Sequence, residues 1–235
     1  MTCPRGEQVS ADIPHKSVSD VLLGRQSPVT LREPGPGRDA VDAMLRAAMC
    51  APDHGRLKPW RFLLITGEAR HAFGAILAEA LRRRQPGIGQ DVLARERAKA
   101  LRAPLIIVVI AMITERKGIP AVEQIVAAGI AANNILLTAC SLGYGGMWRT
   151  GDHAYDPFVH RAMGVDAPGT IVGFLYLGTP DAMPRPRELP AIEDFVGDWH
   201  GAGSITKRAA THAVDGRSYR AVASEAPPLS GTQLD

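Results

Sequence analysis

Leu105-Ile-Ile-Val-Val-Ile-Ala-Met-Ile113 is an unbroken apolar run introduced by Pro104. β-Branched residues dominate it, which favours a strand, and a strand with no polar face has to be covered on both sides. Two further runs read as strands. Pro59-Trp-Arg-Phe-Leu-Leu-Ile65 is bounded by Pro59 and Gly67, and Thr170-Ile-Val-Gly-Phe-Leu-Tyr-Leu177 is closed by Gly178-Thr179-Pro180.

Helical periodicity fills the intervals. Ser17 offers an N-cap to a short helix carrying Val18, Val21 and Leu22, which ends at Gly24-Arg25-Gln26-Ser27-Pro28. Val41, Leu45, Ala48 and Met49 place a second helix over 38–51, stopped by Pro52-Asp53-His54-Gly55. Further helices are expected over 68–84, 91–102 and 156–163, the second of these charged and at the surface. Residues 121–142 are apolar nearly all round, with Ala127, Ala128, Gly129, Ala131 and Ala132 admitting another backbone at close range. That pattern predicts a buried central helix. Asn133 and Asn134 within it call for a polar partner such as another subunit.

With 235 residues and 46% hydrophobic content the chain can bury one good core, so a single domain over 17–200 is expected. Residues 1–16 and 201–235 lack periodicity and read as a disordered arm and a disordered extension. The formal charge of +3 is small and the arginines are scattered, which argues against nucleic acid. No apolar run reaches the roughly 18 residues of a spanning helix, and the N-terminus has no signal-peptide core, so a soluble cytoplasmic protein is expected. Cys3, Cys50 and Cys140 are odd in number and follow no metal-ligand or redox spacing, which predicts reduced thiols and no metal.

Chemistry concentrates in Leu142-Gly-Tyr-Gly-Gly-Met-Trp-Arg-Thr-Gly151. Its glycines permit close approach of a flat ligand, and the residues after them bring a ring, a guanidinium and a hydroxyl to one place. The same residues equally suit a helix C-cap at Gly143 leading into a tight turn and a short strand. Arg25 beside Ser27 suits phosphate or a solvated loop, and Arg185-Pro186-Arg187 is a local basic cluster or a solvated linker. No nucleophile, general base or metal-ligand constellation stands out.

Five segments occur together in the order found in the nitroreductase family: Arg25-x-Ser27, Ala51-Pro-Asp-His-Gly55 with Pro59-Trp60, Arg102-Ala-Pro-Leu105, Leu142–Gly151, and Ile171–Pro180. The chain resembles its compact NAD(P)H-dependent members over about residues 19 to 197. The resemblance implies an α+β fold, a three-layer α-β-α sandwich with a mostly antiparallel central sheet. It further implies an obligate homodimer that binds FMN at its interface, each site taking residues from both subunits.

Carried over to this chain, Arg25, Gln26 and Ser27 resemble the phosphate and ribityl segment, with Gln26 where a second arginine is usual and Thr30 replacing a further basic residue. Arg185 and Arg187 resemble a basic pair that reaches the phosphate. Cys50, where an arginine is usual, and His54 resemble positions that reach the flavin of the partner. Trp148, Arg149 and Thr150 resemble the segment beside the isoalloxazine ring, and Arg149 is the candidate cation for the reduced flavin. Thr138, Ala139, Cys140, Ser141, Leu142 and Gly143 match a segment assigned to the nicotinamide nucleotide, NADH or NADPH. The implied activity is transfer of hydride through FMN to a nitroaromatic, a quinone or a similar flat acceptor, with no catalytic side chain required. A flavin-binding or storage protein without significant turnover is the alternative.

Overall fold

The computed structural model describes residues 17–182, 188–201 and 205–207. Two compact units divide the chain, Met1–Arg187 and Glu188–Asp235. In chain order the first holds α1 (Val18–Gly24), β1 (Leu31–Arg32), α2 (Arg38–Ala48), β2 (Trp60–Thr66), α3 (Ala69–Arg84), α4 (Gln90–Ala98) and β3 (Leu105–Met112). It continues with α5 (Ala121–Ser141), β4 (Gly145–Arg149), α6 (Pro157–Ala162) and β5 (Gly169–Pro180). The second unit contains one antiparallel pair, β6 (Gly197–Trp199) with β7 (Ile205–Lys207).

All the pairings in the main sheet are antiparallel. β3 lies between β2 and β5, with Val108 opposite Leu63 on one side and Phe174 on the other. β5, the longest strand, also pairs with β4 over Phe174–Gly178 and with β1 at Thr179 and Pro180.

The apolar run of β3 explains the layering. Leu105, Ile107, Val109 and Ala111 enter the core shared with α2 and α5, whereas Ile106, Val108 and Ile110 enter the core shared with α3. Period-two alternation therefore covers both faces with helices. The result is the expected α+β sandwich. Each fully buried isoleucine or leucine in it contributes about 1.5–3 kcal/mol.

Local signals set the helix ends. The hydroxyl of Ser17 accepts from the Asp20 N–H at 3.1 Å while the Asp20 carboxylate accepts from the Ser17 N–H at 3.2 Å, a reciprocal capping box that starts α1. Asp156 caps α6 by accepting from the Phe158 N–H at 2.8 Å, with Pro157 in the first turn.

α5 is long and apolar enough, by length and composition, to cross a membrane, although Glu123, Gln124, Asn133 and Asn134 interrupt any continuous apolar run. It lies in the middle of this unit, where Ala128, Ala131, Ala132, Ile135 and Ala139 are fully buried. Asn134 and Gln124 find partners within the chain. Asn134 donates to the Ala47 carbonyl of α2 at 3.0 Å. Buried Gln124 clamps the backbone of Thr114, accepting from its N–H and donating to its carbonyl, both at 2.9 Å.

Candidate functional site

β4 carries the glycine-rich stretch into the sheet, and strand alternation sorts its side chains between the two layers. Trp148 turns toward α5, and its indole Nε1 donates to the Val172 carbonyl at 3.3 Å. Met147 and Arg149 turn the other way. Tyr176 and Phe174 stand opposite them on β5, so these four side chains form one floor. Facing it, Phe73, Leu77, Leu81 and Arg84 make a stripe at three- and four-residue spacing along α3, while Glu96, Lys99 and Arg102 repeat every third residue from α4 through the 3₁₀ turn that follows it. Together with residues 150–153 they enclose a cavity of about 520 Å³.

Gly151 makes the corner. Its φ of +68° lies in the left-handed region that glycine tolerates, and it turns the chain from β4 into a 3₁₀ turn, Asp152–Ala154. That turn sets His153 on the cavity wall.

The charges of the cavity are unequal in their compensation. Buried Glu96 takes the Lys99 ammonium at 2.6 Å and the His153 Nε2 at 2.7 Å. Burial pushes its carboxyl up, but those two hydrogen bonds prevail and hold it below the usual carboxylate range. The other ring nitrogen of His153, Nδ1, is buried without a partner among the described residues. Arg84 is paired with buried Asp156, whose carboxyl burial likewise raises while the Phe158 N–H and Arg84 lower it further. Arg149 directs Nε at the Met147 sulfur at 3.0 Å and meets no carboxylate among the described residues. Arg102 meets none either. Tyr176, within electrostatic reach of both cations, is pushed up to about 12 by burial and stays protonated at neutral pH.

The profile of the nitroreductase family matches residues 24–179. This chain belongs to that family. It is 40% identical over 163 residues to the "Putative NAD(P)H nitroreductase YdjA" of Escherichia coli K12, which covers 68% of this chain and 87% of that protein. Among solved structures it resembles the nitroreductase-like family protein of Bacillus cereus, with a TM-score of 0.69 and 25% identity over 81% of this chain and 100% of that one. A "putative nitroreductase in complex with fmn" from Desulfovibrio desulfuricans shares the fold at a TM-score of 0.62 and 21% identity, covering 80% of this chain and 100% of that one.

Within this nitroreductase chain, Trp148, Arg149 and Thr150 line the cavity, and the other expected site residues among the described ones lie outside it. Arg25, Gln26 and Ser27 follow α1 and lead to Pro28, packed so closely on the start of β4 that a β-carbon at Gly145 would sit 2.8 Å from its Cγ. Cys50 is exposed after α2, its thiol on the Arg46 carbonyl at 3.4 Å. His54 is exposed too and bonds Glu123 of α5 through Nδ1 at 2.6 Å.

Thr138, Ala139, Cys140, Ser141, Leu142 and Gly143 form the end of α5. Tyr144 N–H bonds the Ala139 carbonyl at 2.8 Å and Gly143 N–H bonds Cys140 at 3.1 Å, a Schellman cap completed by the positive φ of Gly143. Arg185 and Arg187 lie outside the described residues.

Tyr176, Glu96, His153 and Arg84 were not foreseen as site residues. A weak signal existed for two of them: Glu96 continues the buried spacing of Leu93 and Ala100, and Tyr176 carries the one hydroxyl between Ile171 and Leu177 of β5.

Proposed function

We propose that this chain is an FMN-dependent oxidoreductase that passes electrons from NADH or NADPH to a flat acceptor such as a nitroaromatic or a quinone. One observation carries the reading. The segment that the family resemblance sets beside the flavin ring, Trp148 to Thr150, borders a cavity with an aromatic and apolar floor in which Arg149 has no carboxylate partner among the described residues. That lining fits the group, because a flat heteroaromatic ring takes apolar contact and a guanidinium stabilises the negative charge it gains on reduction.

When bound, FMN supplies two-electron chemistry that no side chain here offers. The protein holds, orients and neutralises. Arg149 offsets the charge of the reduced ring, and Trp148, pinned to Val172, holds the strand that presents it. Arg25 and Ser27, with Gln26 between them, take the phosphate end, together with Arg185 and Arg187. Residues 138–143 are assigned to the nicotinamide nucleotide. In balance, NAD(P)H and one proton reduce a quinone to a hydroquinone, or a nitro group to a nitroso group with loss of water.

The functional form is a homodimer, in which Cys50 and His54 reach the flavin of the second copy. One chain leaves Val122, Ile125 and Val126 of α5 exposed beside Leu22 and Leu23 of α1, an apolar face at helical spacing that a second copy would cover. Steady-state oxidation of NADH and of NADPH by the FMN-loaded protein, with and without menadione or a nitroaromatic, tests the activity. Acceptor-dependent turnover supports an oxidoreductase, and tight FMN binding without it identifies a flavin-storage protein.

A further inference from the structure

The cavity is not electrically neutral. Its lining contains four cationic side chains, Arg84, Lys99, Arg102 and Arg149, against two carboxylates, Glu96 and Asp152. Lys99 is held by Glu96, and Arg84 is held by Asp156 just outside the lining. Arg149 is assigned above to the reduced flavin and Asp152 is ion-paired to neither remaining guanidinium, which leaves Arg102 on the wall with no carboxylate in ion-pair contact among the described residues.

The surroundings of Arg102 specify what it can take. It follows the turn after α4, where its N–H bonds the Lys99 carbonyl at 3.4 Å, so its backbone is fixed while its side chain remains exposed. Tyr176 lies within its electrostatic reach, and the phenol, which keeps its proton, has no protein partner among the described residues. A guanidinium and a hydroxyl donor beside aromatic Phe73 and Phe174 suit a flat ring that ends in an anionic oxygen group.

We infer that the site prefers electron acceptors bearing a carboxylate or sulfonate, with Arg102 as the specificity-determining residue and the Tyr176 hydroxyl as its second donor. The inference rests on the oxidoreductase reading and names the acceptor class for that site. The same donors could read a phosphate of the nicotinamide nucleotide, so the test separates the two sources. Exposure of Arg102 to solvent makes the preference salt-dependent, weakening as the Debye length falls from about 10 Å at 0.1 M to about 3 Å at 1 M.

The experiment compares kcat/KM for 4-nitrobenzoate and its neutral analogue 4-nitrobenzamide in the FMN-loaded wild type, Arg102→Gln and Arg102→Glu, with NADH as donor. A second arm compares NADH with NADPH using the neutral acceptor. A charge-assisted bond is worth roughly tenfold or more in affinity, so Arg102→Gln should lower the benzoate value about tenfold more than the benzamide value, and Arg102→Glu more still. Equal losses for both acceptors overturn the proposal. So does a loss confined to NADPH, which would assign Arg102 to the nucleotide. If no acceptor turns over, the oxidoreductase reading fails, and equilibrium binding of the two compounds to the flavin-loaded proteins still decides. A benzoate preference that disappears in Arg102→Gln upholds the role of Arg102, and indifferent binding rejects it.

Discussion

Trp148 lies against Gly173 of β5 so closely that a β-carbon at Gly173 would overlap the indole nitrogen. The missing side chain is what lets the ring settle on the α5 side of the sheet and bond Val172. Because neighbours on a strand face opposite ways, a settled Trp148 directs Arg149 into the cavity.

Gly173→Ala should therefore destabilise the fold by about 1–3 kcal/mol, the usual range for overpacking a core. Displacement of β4 should also weaken FMN binding. Denaturant unfolding and a flavin titration measure the two effects. Unchanged values in both would mean that the Trp148 contact does not position the site.

Glu96 anchors the cavity wall through Lys99 and His153. Its depressed carboxyl contributes stability above the ordinary glutamate value of about 4.3, and that contribution is lost as pH falls through the lower folded value. Glu96→Gln should cost about 1–3 kcal/mol at pH 7, and the difference from wild type should shrink as the pH is lowered below about 4.3. Urea midpoints for both proteins across that range check the sign. A difference that grows toward acid would contradict it.

These two residues show what could be read in advance. The run from Leu105 to Ile113 announces a strand covered on both sides, and the small residues of α5 announce its burial, because hydrophobic pattern is local information. β1 carries no such signal, since Leu31 and Arg32 are a strand only through Pro180 and Thr179, about 150 residues further on by chain position. Glu96 sits in a stretch whose charges resemble those of a solvated helix, and only the return of the chain at His153 gives its burial a reason. Trp148, Arg149 and Thr150 are legible from the sequence as one candidate segment, yet which of them faces the cavity depends on pairing with β5. Arg25, Gln26, Ser27, Cys50 and His54 do not line this cavity, because they follow α1 and α2, which do not border it.

The phosphate assignment is tested at Arg25, whose guanidinium meets no carboxylate among the described residues. Gln26 and Thr30 make Arg25 the only basic residue from 25 to 30. Arg25→Ala should weaken FMN binding by roughly tenfold to a hundredfold, while riboflavin, which lacks the phosphate, should lose much less. Titration of the apo-protein with each ligand decides it. Equal losses in a folded variant would remove Arg25 from the phosphate site.

Val122 and Val126, 61% and 54% exposed on one face of α5, are expected at the centre of the dimer interface. An obligate interface of this kind buries more than about 2,000 Å² in total. Val122→Asp combined with Val126→Asp should shift the protein to monomer in sedimentation and release FMN. A monomeric wild type that retains FMN would refute the shared site.

The most direct measurement is anaerobic. FMN-loaded protein is titrated with NADH and, separately, with NADPH while the absorbance of the oxidised flavin is followed, and menadione is then added without oxygen. Bleaching by one equivalent of at least one nicotinamide and recovery of the yellow form on adding menadione is the predicted result. A flavin that stays oxidised with both nicotinamides, or one that is reduced but not reoxidised by menadione or any of a panel of nitroaromatics, would contradict the oxidoreductase account.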